Sequence, residues 1–357
     1  MNTKKTYLSA SRIKTAQQCS WTYWCKYILK LPDKSNDGAS KGWVCHLIFE
    51  VLGRKDRRPL FDEISSNGTI WSSPSVARLA MYHIKRLEIN TQEHIDEIDL
   101  MVIKGLKYDF FGGDKDGLSE EFSEKDFKLS IDDGIVKYNI RGFIDKLFLY
   151  EDKQAIIRDF KTSKQKFKGK EITDNMQDLM YCLAVKKMFP EYKGLSEFLF
   201  LKFELEKDLF GESGPGVIRM RQIEDDALEG FEFELTEIQK YLDEFNHAKA
   251  VSNFAGGQDY PKDGTFGGPL ACGKNGFKKC RGENVLDKEG KPIKAFVCSF
   301  RNPFKYFSLV NESGEIKKSV FTDDLAELEK LKSAGDTIKE KEYEGCPYWR
   351  NKDRPLL

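Results

Sequence analysis

One segment constrains this chain more than any other: Val136–Tyr150, a bend at Glu151-Asp152-Lys153, and the return over Ala155–Lys161. Both arms alternate apolar residues at a period of two, the pattern of half-buried strands. On the first arm Phe143, Asp145, Leu147 and Leu149 share a face; on the second Ile157, Asp159 and Lys161 do. Asp145 lies seven residues before Asp152 and Asp159 seven after it, so a hairpin centred there sets the acids opposite each other. Their Cβ atoms would be ~5 Å apart. Facing carboxylates repel, and apolar neighbours add a desolvation cost. A divalent cation between them removes both penalties, and hard ions such as magnesium choose carboxylate oxygens. Lys161 would then reach over the ion, where its neutral amine could deprotonate a water, or its ammonium position one or stabilise phosphate charge. A lone Asp-x-Lys is more often a solvated hairpin with an ordinary ion pair. Here it ends an apolar strand opposite a second acid-bearing strand, which favours the metal site.

The strand pattern also covers Glu121–Ile131, with a turn at Asp132-Asp133-Gly134. Ser9 or Ser11 can cap a first helix running to about Leu31 and ended by Pro32. A second helix, Lys41 to about Arg54, carries Trp43, Val44, Leu47, Ile48, Val51 and Leu52 on one arc, and helical patterns run on over 75–110. After the hairpin come a helix over Asp174–Met188, strands at Ser196–Glu204 and Val217–Ile223, and a helix from about Glu232 to Val251. Helices followed by β-β-β-α-β predict an α/β fold around a mixed sheet. With 357 residues the chain exceeds the ~250–300 at which one core stops growing, so a main body with an appendage is expected. The predicted division is a helical region over 1–120, a core over 121–252, and a cysteine-bearing region over 253–357 entered through the Gly/Pro-rich stretch Asn253–Leu270.

Two helices add polar pairs at four-residue spacing. His46 and Glu50 project together from the second helix, and Gln177 and Tyr181 from the helix after the hairpin. Each pair alone has a plain reading: a core-edge histidine bonded to a carboxylate such as Glu50, and a half-exposed helix face.

Taken together the residues resemble the PD-(D/E)XK nuclease superfamily in its RecB/AddB-like branch, which includes CRISPR-associated exonucleases. Gly42-Trp43-Val44-Cys45-His46 with Glu50 resembles the helical histidine motif, and Gly142-Phe143-Ile144-Asp145 the strand that delivers the first acid. Asp159-Phe160-Lys161-Thr162 resembles the D-x-K core, and Gln177-Asp178-Leu179-Met180-Tyr181 the Q-x-x-x-Y motif. The resemblance implies a restriction-endonuclease-like core, a central mixed sheet flanked by helices. It also implies that His46, Asp145, Asp159 and the Phe160 backbone carbonyl hold magnesium or manganese, with Glu50 auxiliary. Lys161 would be the catalytic lysine, and Gln177 and Tyr181 would hold DNA or orient the site.

Eight cysteines are too sparse for a disulfide scaffold at this length. Several members of the branch hold a [4Fe–4S] cluster on one early and three late cysteines. By that resemblance Cys19, Cys272, Cys280 and Cys298 would be the ligands, with Cys346 a substitute because gaps of seven and 17 residues separate the late three. Tetrahedral zinc could use the same thiolates.

The 58 Lys+Arg balance 58 Asp+Glu, so nucleic acid must meet a local basic surface. Lys164, Lys166, Lys168 and Lys170 leave the active strand directly after Lys161 with no acid among them and are the expected DNA contacts. A second basic cluster is Lys274, Lys278, Lys279 and Arg281, and acid-rich 224–244 should lie on the far side. Gly268-Pro-Leu-Ala-Cys-Gly273-Lys274-Asn275 imitates a P-loop but lacks the Ser/Thr that holds magnesium, so no nucleotide cofactor is expected. No apolar run of membrane-spanning length or secretory signal is present, and a cytoplasmic protein of bacterial cells or phage-infected hosts is expected. The expected activity is metal-dependent DNA hydrolysis, as an exonuclease in recombination, repair or phage DNA processing. A single-strand annealing protein or a helicase on another chain would be its companion. The competing reading is a DNA-binding scaffold or recombination accessory that keeps the fold; the intact Asp145, Asp159 and Lys161 favour catalysis.

Overall fold

The computed structural model describes residues 5–33, 36–208, 211–252, 285–286, 292–293 and 298–350. The chain forms two compact units, each assembled from two separate stretches: Met1–Ala10 with Ser35–Lys240, and Ser11–Lys34 with Tyr241–Leu357.

In chain order the helices and strands before residue 253 are α1 (Ala10–Gln18), α2 (Ser20–Tyr23), α3 (Asp37–Leu52), α4 (Arg58–Asn67), α5 (Pro74–Arg86), α6 (Gln92–Lys107), β1 (Leu118–Asp132), β2 (Lys137–Tyr150), β3 (Gln154–Lys161), α7 (Lys170–Thr173), α8 (Met176–Met188), β4 (Lys193–Phe200), β5 (Val217–Arg219), α9 (Asp225–Asp243) and α10 (His247–Ser252). The first unit is built on a five-stranded sheet in the order β1-β2-β3-β4-β5. Only β3 and β4 run parallel, joined across α8; the other pairs are antiparallel. This is the mixed sheet flanked by helices that the element order predicts.

Local chemistry sets the helix starts. The Asn36 side chain accepts from the Ala39 amide at the head of α3, and Thr91 does the same for His94 at α6. Pro74 opens α5, where its missing N–H costs nothing. Helices α3 to α6 bury Val44, Cys45, Ile48, Phe49, Leu52, Ile98, Met101 and Val102 with Phe160, Leu199 and Leu201 of the sheet. Phe49 stacks on Phe160 with ring centroids 4.2 Å apart. The middle residue of Asp159-Phe160-Lys161 therefore anchors β3 in the core, and the alternation of the strand sends its two neighbours to the other face.

Several elements differ from expectation. The buried arc of α3 is rotated toward Cys45 and Phe49, which leaves Trp43 44% exposed. The predicted first helix breaks at Cys19, whose φ of −163° and ψ of 109° are extended backbone, and resumes as α2 and a π-helical turn over Trp24–Ile28. The helix expected to end near Val251 is interrupted between α9 and α10. Helix α4 was not anticipated.

The second unit carries a three-stranded antiparallel sheet, Thr337–Tyr343 beside Phe304–Val310 beside Ile316–Phe321. Within this unit Trp21 donates Nε1–H to the Tyr343 hydroxyl at 2.7 Å, and that hydroxyl donates to the Phe300 carbonyl at 2.9 Å. Among the described residues no helix is long and apolar enough to cross a membrane.

Candidate active site

The ladder between β2 and β3 pairs Lys146 with Arg158 and Leu147 with Ile157. Asp145 and Asp159 occupy the next rung, just past the last paired one, the register that the symmetric bend predicts. Released from the ladder, the Phe160 amide donates to Asp145 Oδ2 at 2.8 Å and fixes that carboxylate against β3. Two glycines let these strands and α3 approach. A Cβ on Gly42 would sit 2.7 Å from Thr162 Oγ1, and one on Gly142 would sit 2.6 Å from the Phe127 ring.

Asp159 is buried, 3% exposed. Its Oδ1 accepts from Gln177 Nε2 at 2.7 Å and from the Tyr181 hydroxyl at 3.0 Å. Gln177 Oε1 in turn accepts from Lys161 Nζ at 2.8 Å. The Asn175 side chain caps α8 by accepting from the Gln177 and Asp178 amides, and so fixes the turn from which Gln177 and Tyr181 project. Asp159 Oδ2 lies 2.5 Å from Lys161 Nζ, so the ammonium is the partner of this buried oxygen. Burial raises the Asp159 carboxyl above its usual range; Lys161 pulls against this and Asp145 reinforces it.

From α3, His46 places Nδ1 3.3 Å from Asp145 Oδ1. The third member of this group is Glu124 on β1. His46, Glu124 and Asp145 each offer a ligand atom within 4.8 Å of the others. Glu124 lies between Ser123, paired with Lys146, and Lys125, paired with Ile144, so it stands opposite Asp145. Its φ of +48° is in the left-handed region, a conformation that costs a side-chain-bearing residue about 1–3 kcal/mol. Burial, Asp145 and nearby Glu50 push the Glu124 carboxyl up to about 7. Burial pulls the His46 imidazole down, but Asp145, Asp159 and Glu124 outweigh it and hold His46 at about 9. Imidazole and carboxylate oxygens around one point, with like charges in excess, fit a hard divalent cation.

Glu50 accepts from Arg54 Nη2 at 2.9 Å and lies near enough to Glu124 to raise its carboxyl, while Glu124 joins His46 and Asp145 in the candidate ligand group. Neither composition nor the predicted turn at Asp132-Asp133-Gly134 signals Glu124: symmetry about Asp133 would set it opposite Gly142, whereas the observed pairing of Asp132 with Lys137 sets it opposite Asp145.

Of the four loop lysines, Lys164 and Lys168 are exposed. Lys166 is half-buried and donates to the Pro215 carbonyl at 2.6 Å, and the side chain of Lys170 lies outside the described residues. Phe167 packs against Phe198 and Phe200 with centroids 4.8 and 5.1 Å away, which holds the loop beside the strand it leaves.

Of the candidate cluster ligands, Cys19, Cys298 and Cys346 belong to the second unit. Cys19, Cys298 and Cys346 lie close enough to Cys25 to raise its pKa further, beyond the larger effect of burial. Cys25 Sγ is 3.5 Å from the Tyr343 hydroxyl. Cys272 and Cys280 lie outside the described residues, as do Lys274, Lys278, Lys279, Arg281 and the P-loop imitation.

A mixed sheet that brings a histidine, three carboxylates, a lysine and a glutamine to one strand end defines a metal-binding hydrolase of the nuclease type. A family model of the PD-(D/E)XK nuclease superfamily matches residues 7–273. The chain belongs to that superfamily, and with it comes metal-dependent nuclease activity. No curated protein matches the chain at a significant level. Among solved structures, SSO0001 is similar at 15% identity and a TM-score of 0.26, over 48% of this chain and 69% of its own. That score is too low to carry an argument.

Proposed function

We propose that the protein is a magnesium- or manganese-dependent deoxyribonuclease of the RecB/AddB-like branch, acting as an exonuclease in recombination, repair or phage DNA processing in the cytoplasm. The observation that carries this reading is the rung formed by Asp145 and Asp159. Two carboxylates meet where β2 and β3 part, one held by the Phe160 amide and the other by Gln177 and Tyr181.

In this reading His46, Asp145, Asp159, the Phe160 carbonyl and Glu124 would hold the cation. When bound, it would supply an activated water and neutralise charge on the scissile phosphate. Gln177 and Tyr181 occupy Asp159 Oδ1, while Oδ2 faces the Lys161 ammonium 2.5 Å away. Lys161, braced by Gln177 Oε1, carries an ammonium that can hold a water or a phosphate oxygen at the same point. Lys164 and Lys168 would take phosphates beside it. Partners on other chains would be a single-strand annealing protein or a helicase.

The second unit would hold a [4Fe–4S] cluster through Cys19, Cys298 and two more thiolates. Candidates are Cys272 and Cys280, with Cys346 and Cys25 near the first pair. Tetrahedral zinc on the same thiolates is the alternative.

The test is incubation of end-labelled single- and double-stranded DNA with magnesium, manganese or a chelator, beside Lys161→Ala. The expected result is cation-dependent degradation that is lost in the variant. Equal degradation in the chelator, or by Lys161→Ala, overturns the reading.

A further inference from the structure

The outward side of α3 carries more than the metal histidine. Trp43 precedes His46 by three residues, so the two side chains are neighbours on the helix surface, with Cβ atoms ~5–6 Å apart. Trp43 is large, apolar and 44% exposed, on the helix that supplies a candidate ligand. It is not isolated. His83 of α5 lies against it with ring centroids 4.6 Å apart, and the Arg86 guanidinium sits 5.5 Å from its ring centroid. Tyr82, 63% exposed, meets the His83 ring edge-on at 4.9 Å. Lys85 is exposed beside them, so the last turn of α5 presents three basic side chains.

An exposed indole with a guanidinium near its face matches the chemistry that binds unpaired nucleobases. Aromatic faces take the bases, and Arg and Lys follow the phosphates. Bases inside a duplex are stacked on their neighbours and closed to such a face. Because Trp43 and His46 are neighbours on one helix face, a base on the indole would belong to a nucleotide close to the scissile phosphate.

We propose that Trp43, flanked by Arg86 and His83, is a stacking platform for an unpaired base close to the scissile phosphate. The enzyme then takes single-stranded DNA, or an end frayed into a single strand. This rests on the nuclease reading above and adds the substrate class to it. Trp43 is a binding residue, and the opposing explanation is that it only ties α3 to α5.

Binding of fluorescent single-stranded oligodeoxynucleotides separates the two explanations, measured by anisotropy with manganese on the full chain carrying Lys161→Ala. A single abasic position is walked along the strand. We expect one or two positions at which base removal weakens binding about tenfold, the loss of one base–aromatic stack. Trp43→Ala should weaken binding of the intact strand by a similar factor and abolish the penalty at those positions, while Trp43→Phe restores most of both. A blunt duplex should lose little from the same change. The proposal is overturned if Trp43→Ala binds the intact strand as tightly as its parent. It is equally overturned if the abasic penalty persists in that variant, or if blunt duplex and single strand lose equally. None of these readouts needs turnover, so absence of metal-dependent hydrolysis would sink the nuclease assignment separately.

Discussion

Two consecutive rungs of one hairpin face the same electrostatic problem and solve it differently. Lys146 stands opposite Arg158, two cations that are 1% and 3% exposed. The next rung sets Asp145 against Asp159. The cationic rung is neutralised from within. Lys146 pairs with Glu121 at 2.6 Å and lies 4.0 Å from the Phe110 ring centroid. Arg158 pairs with Glu197 at 2.7 Å and donates to the Tyr108 and Asp109 carbonyls. Even so, burial and the neighbouring Arg158 outweigh Glu121 and bring Lys146 down to about 8. The acidic rung has Lys161 and His46 near it, but Glu124 adds a third carboxylate, so the acids outnumber their two cationic neighbours. Complete internal pairing makes a rung structural; incomplete pairing leaves room for an external cation.

The strongest way to break this contrast is to unpair the finished rung. Glu197→Ala leaves the buried Arg158 with only the more distant Asp109 carboxylate, 3.4 Å away, and should cost about 3 kcal/mol in urea unfolding. A loss below about 1 kcal/mol would mean that the cationic rung was never self-sufficient. On the acidic rung Asp159→Asn should cut cleavage by about 10²–10³-fold, yet raise Tm in chelator because it removes a repelling charge. A fall in that Tm would make Asp159 a structural partner like Glu197. The ligand set is sharpened by comparing two glutamates. Glu124→Gln should weaken metal activation at least about tenfold, whereas Glu50→Gln, whose carboxylate is occupied by Arg54 at the surface, should change it by about twofold or less.

The smallest effect expected is one of pH. In the metal-free fold His46 is raised to about 9 and Glu124 to about 7. Both therefore hold protons in the folded state that the unfolded chain has released. Their contribution is present below their unfolded pKa values and is lost as pH rises through about 7 and then about 9. A cation must displace those protons, so its own stabilisation runs the other way. The Tm difference between manganese and chelator should widen from about pH 6 to about pH 9, and Glu124→Gln should flatten the lower part of that rise. A difference that narrows with pH would remove His46 and Glu124 from the cation's neighbours.

The hairpin was legible because its register depends only on where the bend falls, and Asp152 lies midway between the two acids. The α8 pair was legible for a similar reason, since helical spacing alone puts Gln177 and Tyr181 on one side. For Glu50 the spacing reports only that it shares a face with His46, not which neighbour takes its side chain, and Arg54 is as near as His46. Trp43 was assigned to the buried arc because hydrophobicity does not reveal which side of an amphipathic helix meets the core when both sides carry apolar groups. Glu124 needed a left-handed backbone that no residue type in Glu120–Lys125 announces. Cys25 was passed over because nothing in its own stretch shows that Cys19, Cys298 and Cys346 approach it.

The division of the second unit sets a timetable for synthesis. Trp21 waits for Tyr343, which follows it by 322 residues (343 − 21), a delay of roughly 16–64 s on the ribosome. Every residue from 35 to 240 has emerged well before then. The nuclease unit can therefore mature while Cys19 and Cys25 still lack their late partners. During that interval both thiols are open to oxidants and stray metals, so how quickly translation finishes bears on how much of the second unit assembles correctly.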